Sequence, residues 1–197
     1  MSVLKSLRQY FRITKASTIF RRYFVLNGFD GLFTMLGIIV GSYVSGVHHP
    51  GVILGAGVSG IVALGFSGSA SAYITEKSEQ ERSLMELEGK MLIDLDNTIH
   101  DRARSFSTLF TSFVNGFSPV ATALLMAVPF LLASKEFFSI DTAFKISMLT
   151  GCLEIFAFGY VLGEKFSTAK KIQYGVGMLL VASLTALTSF VIGQLTG

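Results

Sequence analysis

Residues 31–75 carry no Asp, Glu, Lys or Arg, and the only break in their apolar run is the turn-forming His48-His49-Pro50. A bilayer core about 30 Å thick needs roughly 20 apolar residues per helical crossing, so this stretch is long enough for two. One ionisable group stands just ahead of it. Asp30, in Asn27-Gly28-Phe29-Asp30-Gly31, lies inside the first apolar segment. A carboxylate within a span costs on the order of a few kcal/mol, which makes Asp30 the first functional candidate.

Three further segments, 105–134, 146–163 and 172–197, are uncharged except for Glu154. The expected spans are therefore about 23–46, 52–75, 106–133, 141–163 and 174–196, with an error of about 2–4 residues at each boundary. Charged residues make up only 15% of the chain, against about 25% in a soluble domain, so a soluble fold would leave too much apolar surface uncovered. The fold class is an all-α integral membrane protein with five transmembrane helices and a short acidic helical insertion between the second and third. The single Cys152 excludes an intramolecular disulfide and any Cys-rich metal or iron–sulfur site.

Residues 1–22 form a basic interfacial segment ahead of the membrane domain, 23–197. This segment has no apolar core followed by a small-residue cleavage site, so it is not read as a secretory signal. Val3, Leu4, Leu7, Tyr10 and Phe11 recur at helical spacing opposite Lys5, Arg8, Arg12 and Lys15, the pattern of a helix lying in the membrane interface. Of the sixteen Lys and Arg residues, only Lys135 and Lys145 fall on the side opposite the N-terminus. The positive-inside rule then puts the N-terminus in the cytoplasm and the C-terminus outside, in a multi-pass cell-membrane protein. The net charge of +3 calls for no nucleic-acid partner.

The insertion, 76–104, holds eight of the thirteen carboxylates: Glu76, Glu79, Glu81, Glu86, Glu88, Asp94, Asp96 and Asp101. Leu84, Leu87, Met91, Leu92 and Leu95 recur at helical steps, which predicts a hairpin or a long amphipathic helix continuing span two, with Gly89 as the candidate break. Glu76, Glu79 and Glu86, or Glu81 and Glu88, align on faces of one helix, and oxygen-rich clusters suit divalent cations. The alternative is a solvated face with Glu79–Arg82 and Glu86–Lys90 helix pairs. Small residues crowd span two from Gly51 to Ser71, which predicts a helix buried among the others. Gly37-x-x-x-Gly41 and Gly159-x-x-x-Gly163 offer similar faces. Pro119 and Pro129 interrupt span three, with Asn115 one turn before the first. Five spans cannot divide into equal halves, which favours a pathway built between two subunits.

Asp30 lies about 10 Å along span one, and Glu154 lies at similar depth in span four. If the two helices are neighbours, the carboxylates face one cavity and can bind a cation or exchange a proton. Otherwise each sits neutral, hydrogen-bonded to Ser, Thr or Asn. Ile93-Asp94-Leu95-Asp96-Asn97-Thr98 looks like the nucleophile motif of haloacid-dehalogenase-type phosphatases, but a loop of about thirty residues cannot supply the α/β domain that chemistry needs. His48, His49 and His100 form no ligand pattern, and Met35, Met126 and Met148 read as packing residues. No Ser/His, Cys/His or His/Glu constellation stands within one membrane layer, so the chain is not read as an enzyme.

The run Asn27-Gly-x-Asp30-Gly-Leu-x-Thr34, followed by an apolar stretch with glycines, resembles the first helix of the vacuolar iron transporter family and its prokaryotic relatives. The second helix ending Ser71-Ala72-Tyr73-Ile74-Thr75, the acidic insertion and the basic start of the last span extend the resemblance over nearly the whole chain. It implies a five-helix homodimer exporting Fe²⁺ or Mn²⁺ from the cytoplasm by proton antiport, the cation being cargo and no cofactor being needed. It also implies that insertion glutamates, here Glu76, Glu79, Glu81 and Glu86, gather metal and that Asp30 lines the path. Where iron-transporting members have a Met and a Gly-Glu pair in the second helix, this chain has Gly68 and Ser71-Ala72, and Glu154 is the candidate replacement carboxylate. The competing reading is a non-transporting structural or regulatory membrane protein that retains the fold.

Overall fold

The computed structural model describes residues 16–91 and 99–196. They form five helices: α1 (Ala16–Val44), α2 (Pro50–Met91), α3 (Ile99–Ala133), α4 (Ile140–Leu162) and α5 (Thr168–Thr196). Each is long and apolar enough to cross a membrane. The crossing segments agree with the expected spans to within about four residues, except that the last begins six residues early, at Thr168, and that α2 is one unbroken helix of 42 residues that passes through Gly89. The expected interfacial helix over residues 1–15 lies outside the described residues, and so do Leu92, Asp94, Leu95, Asp96 and the 93–98 phosphatase-like motif. Residues 16–22, expected to belong to the interfacial segment, form the first turns of α1.

The helix ends follow from local chemistry. Gly46, at φ 72°, ends α1 in a Schellman motif: Val47 N–H donates to Ser42 C=O at 2.9 Å and Gly46 N–H to Tyr43 C=O at 3.3 Å. Pro50 opens α2 at the position where a missing N–H costs nothing. Ser139 caps α4, its hydroxyl accepting from Thr142 N–H at 3.3 Å. The same Schellman pattern ends α3, but there the left-handed position, φ 62°, is filled by Glu136.

Helix α1 is the hub of the bundle and packs against all four others, whereas α2 packs mainly against α1 and α3. The core contains Leu32, Met35 and Ile39 of α1, Ile53 and Ile61 of α2, Met126 and Phe130 of α3, and Phe144 and Ile155 of α4. Met35 and Met126 thus serve as packing residues, while Met148 is exposed. Backbones meet closely where side chains are absent. A Cβ on Gly31 would lie 2.7 Å from Pro119 Cα, and one on Gly65 would lie 2.7 Å from Gly116 C=O. The Gly159-x-x-x-Gly163 face is used within the chain, against Gly175 and Lys171 of α5.

The expectation that α2 is buried among the other helices does not hold. Ile53, Gly57, Ile61, Gly65 and Ala72 form its buried face, while Gly55, Ser59, Ser67, Ala70 and Ser71 are exposed. Small side chains permit close approach from any direction, and here the helix carries them on two faces but meets neighbours on one.

Candidate metal-ion site

Tyr23, Asn27, Asp30 and Thr34 fall at steps of four, three and four along α1 and so share one stripe, about 16 Å long, through an otherwise apolar span. Its lower members are tied to neighbouring helices. Tyr23 Oη donates to Glu76 Oε1 of α2 at 3.0 Å. The Asn27 side-chain amide donates to Asn115 Oδ1 of α3 and to Tyr23 C=O, the latter at 2.8 Å. Higher up, Thr34 Oγ1 donates to Asp30 C=O at 2.6 Å, which leaves the Asp30 carboxylate outside that bond.

Asp30 is exposed, and among the described residues its carboxylate has no hydrogen-bond or ion-pair partner. The packing around it accounts for this. A Cβ on Gly28 would meet Phe158 of α4, and Gly31 abuts Pro119 of α3. Two residues beyond Gly28 is a turn of about 200°, so Asp30 points away from α4. Thr122 Oγ1 of α3 donates to Gly28 C=O at 3.0 Å and Ser118 Oγ donates to Phe24 C=O, fixing α1 in this rotation.

Glu154 is half-buried on α4, and its Oε2 is buried without a hydrogen-bond partner. Within one chain α1 meets α4 through Gly28 against Phe158, and Asp30 lies about 200° around α1 from Gly28, so the shared cavity envisaged for Asp30 and Glu154 is not where these two helices touch. Glu154 sits on α4, which packs on α1, α3 and α5, while α2 packs mainly on α1 and α3.

Of the insertion glutamates, Glu76 is half-buried and turned to Tyr23, while Glu79, Glu81 and Glu86 are exposed. Glu79 and Glu86 share a face at about 10 Å separation, too far for one ion with metal–oxygen distances of about 2.3–2.6 Å. Glu81 Oε1 lies 3.8 Å from Lys77 Nζ. Among the described residues, no three His, Cys, Asp or Glu side chains converge as a metal-binding group. The structure adds Tyr23 and the Asn27–Asn115 pair to the site. Their signal in the sequence is the presence of polar groups inside spans one and three.

This stripe lies in the part of the chain that a family model matches. Residues 21–93 match the VIT family. The VIT family is associated with metal-ion transport across membranes, and with five spanning helices the chain is a multi-pass membrane protein. The VIT match covers most of α1 and all of α2, hence Asp30 and the four insertion glutamates; Glu154 falls beyond it. The chain is also similar to an uncharacterized protein of Methanocaldococcus jannaschii, 29% identical over 174 residues that cover 87% of each chain.

Proposed function

We propose that this protein exports a divalent cation, Fe²⁺ or Mn²⁺, from the cytoplasm by proton antiport, as a homodimer with its N-terminus inside and its C-terminus outside. The observation that carries the reading is the polar stripe of α1, with an unpartnered carboxylate exposed at its centre. A carboxylate facing lipid is costly, and a second copy set against the α1–α2 face removes it from lipid and brings two Asp30 side chains toward one axis. Two carboxylates from facing helices offer the hard oxygen donors a divalent ion needs, which a single chain does not assemble. The exposed small residues of α2, from Gly55 to Ser71, permit that close approach. The exposed glutamates of the α2 extension raise the local cation concentration at the cytoplasmic mouth, and Glu154 carries the proton.

The experiment is flux in proteoliposomes with Fe²⁺, Mn²⁺, Co²⁺ and Ca²⁺, with and without a pH gradient. The reading requires saturable flux of Fe²⁺ or Mn²⁺ that responds to the gradient and is abolished by Asp30→Asn in a correctly inserted protein. One observation favours a second reading, a non-transporting protein that keeps the fold: Gly68 and Ser71-Ala72 stand where the iron-transporting members have a Met and a Gly-Glu pair. Absence of flux for every ion would select it.

A further inference from the structure

The seam between α2 and α3 is hollow at two adjoining levels. Where the helices leave the apolar layer, a cleft of about 210 Å³ is lined by Tyr73, Lys77 and Gln80 of α2 and by Arg104, Ser105 and Thr108 of α3. Deeper along the same seam, an apolar groove of about 310 Å³ runs between Val62 and Phe66 on one side and Phe113 and Phe117 on the other. The Gly65–Gly116 crossing forms its floor, and Phe113 and Phe117 stack at 5.4 Å to make one wall. Phe66 is 76% exposed and Phe113 63%, so the groove is open to the membrane.

The two levels differ in chemistry in the way the two ends of a phospholipid do. Arg104 Nη1 donates to Gln80 C=O across the seam at 3.4 Å, and that bond uses one of the five N–H donors of a guanidinium. The remaining donors suit a phosphate. Among the described residues Lys77 is held by Glu81 at 3.8 Å, a pair with both side chains more than half exposed, and such pairs are weak. Among the described lining residues, two cations stand against one carboxylate, Glu81. The dimensions also agree: Lys77 to Val62 is about 22 Å along the helix, close to the thickness of one leaflet with its headgroups, about 20–22 Å. Basic clefts at this depth between spanning helices are suited to anionic headgroups. A second copy of the chain would bring the same two cations to this level, whereas an anion complements them.

We propose that the α2–α3 seam binds an anionic phospholipid, its phosphate between Lys77 and Arg104 and one acyl chain along the Phe66–Phe113–Phe117 groove. The test is native mass spectrometry of the protein released from nanodiscs containing equal parts phosphatidylglycerol and phosphatidylcholine. The wild type retains phosphatidylglycerol in preference. Lys77→Gln with Arg104→Gln removes that preference, with a loss of roughly fivefold per cation, while Val62→Trp, which narrows the groove, reduces retention of both lipids. Lys77 is exposed, so Lys77→Gln alone supplies the comparison in a chain whose fold does not depend on that side chain. Equal retention of both lipids by the wild type, or unchanged phosphatidylglycerol retention in the Lys77→Gln chain, overturns the proposal. So does displacement of the lipid by millimolar inorganic phosphate, which would mark a phosphate-ion site. Disulfide-linked dimers of Phe113→Cys in a Cys152→Ala background would assign the groove to a second copy and overturn it as well.

Discussion

The Tyr23 hydroxyl donates to Oε1 of Glu76 across 3.0 Å, joining residues 53 positions apart where α1 enters the apolar layer and α2 leaves it. Glu76 is half-buried, so loss of its donor leaves an acceptor partly cut off from water. Tyr23→Phe is expected to lower stability by about 1 kcal/mol, read as an earlier thermal unfolding transition in detergent. Glu76→Gln keeps an acceptor oxygen and should cost less. Unchanged unfolding of the Tyr23→Phe protein would mean the bond contributes nothing to stability.

The glycines divide by what a methyl group would meet. Gly31→Ala drives a Cβ into the Pro119 backbone, which cannot give way as a side chain can, and should destabilise by about 1–3 kcal/mol. Gly41→Ala meets nothing within 4 Å and gains helix propensity, so it should be neutral or stabilising by up to about 1 kcal/mol. Equal unfolding temperatures for the two variants would contradict the α1–α3 crossing.

At the end of α3, Glu136 holds a left-handed backbone conformation, φ 62°, which costs a residue with a Cβ about 1–2 kcal/mol. Glu136 is exposed, so Glu136→Gly relieves that strain without removing packing. The expected outcome is a gain of roughly 1 kcal/mol, offset in part by unfolded-state entropy. A lower unfolding temperature would be the contrary result.

Glu154 is the one described residue with a buried side-chain oxygen lacking a hydrogen-bond partner. An orphaned buried polar atom costs about 1–3 kcal/mol, so Glu154→Leu should raise stability by about that much. If Glu154 carries the proton, the same variant loses the pH dependence of flux while keeping its fold. A protein that is destabilised by Glu154→Leu would instead identify a structural carboxylate.

Orientation can be read by labelling cysteines at Ser2, Ser78 and Thr196. The background must be Cys152→Ala, because Cys152 is exposed on α4. The basic asymmetry requires Ser2→Cys and Ser78→Cys to react from the cytoplasm and Thr196→Cys from outside. Reaction of Thr196→Cys from the cytoplasm would break the five-span topology.

The five spans were legible because bilayer thickness imposes a length on apolar runs, and runs such as 106–133 meet it without help from any other part of the chain. Asp30 was legible as a carboxylate out of place. Its direction was not, because a helix rotation is set by distant contacts, here Ser118 and Thr122 of α3 on Phe24 and Gly28. The pairing of Asn27 with Asn115 was hidden for the same reason: neither residue marks the other across 88 positions. Equal depth in the membrane placed Asp30 and Glu154 together, but depth is one coordinate and the azimuth around α1 separates them. Span two was misread because composition tells how closely a helix can be approached, and says nothing about which of its sides is approached.

The continuity of α2 makes it a lever. From the Gly65 crossing to Met91 the helix runs about 39 Å without a break, so a tilt of roughly 10° at that fulcrum sweeps its far end through about 7 Å. No hinge at Gly89 absorbs the motion. Whatever grips the outlying glutamates therefore exerts torque on the middle of the membrane, and a slight reorientation among the spans is magnified where α2 meets the aqueous phase.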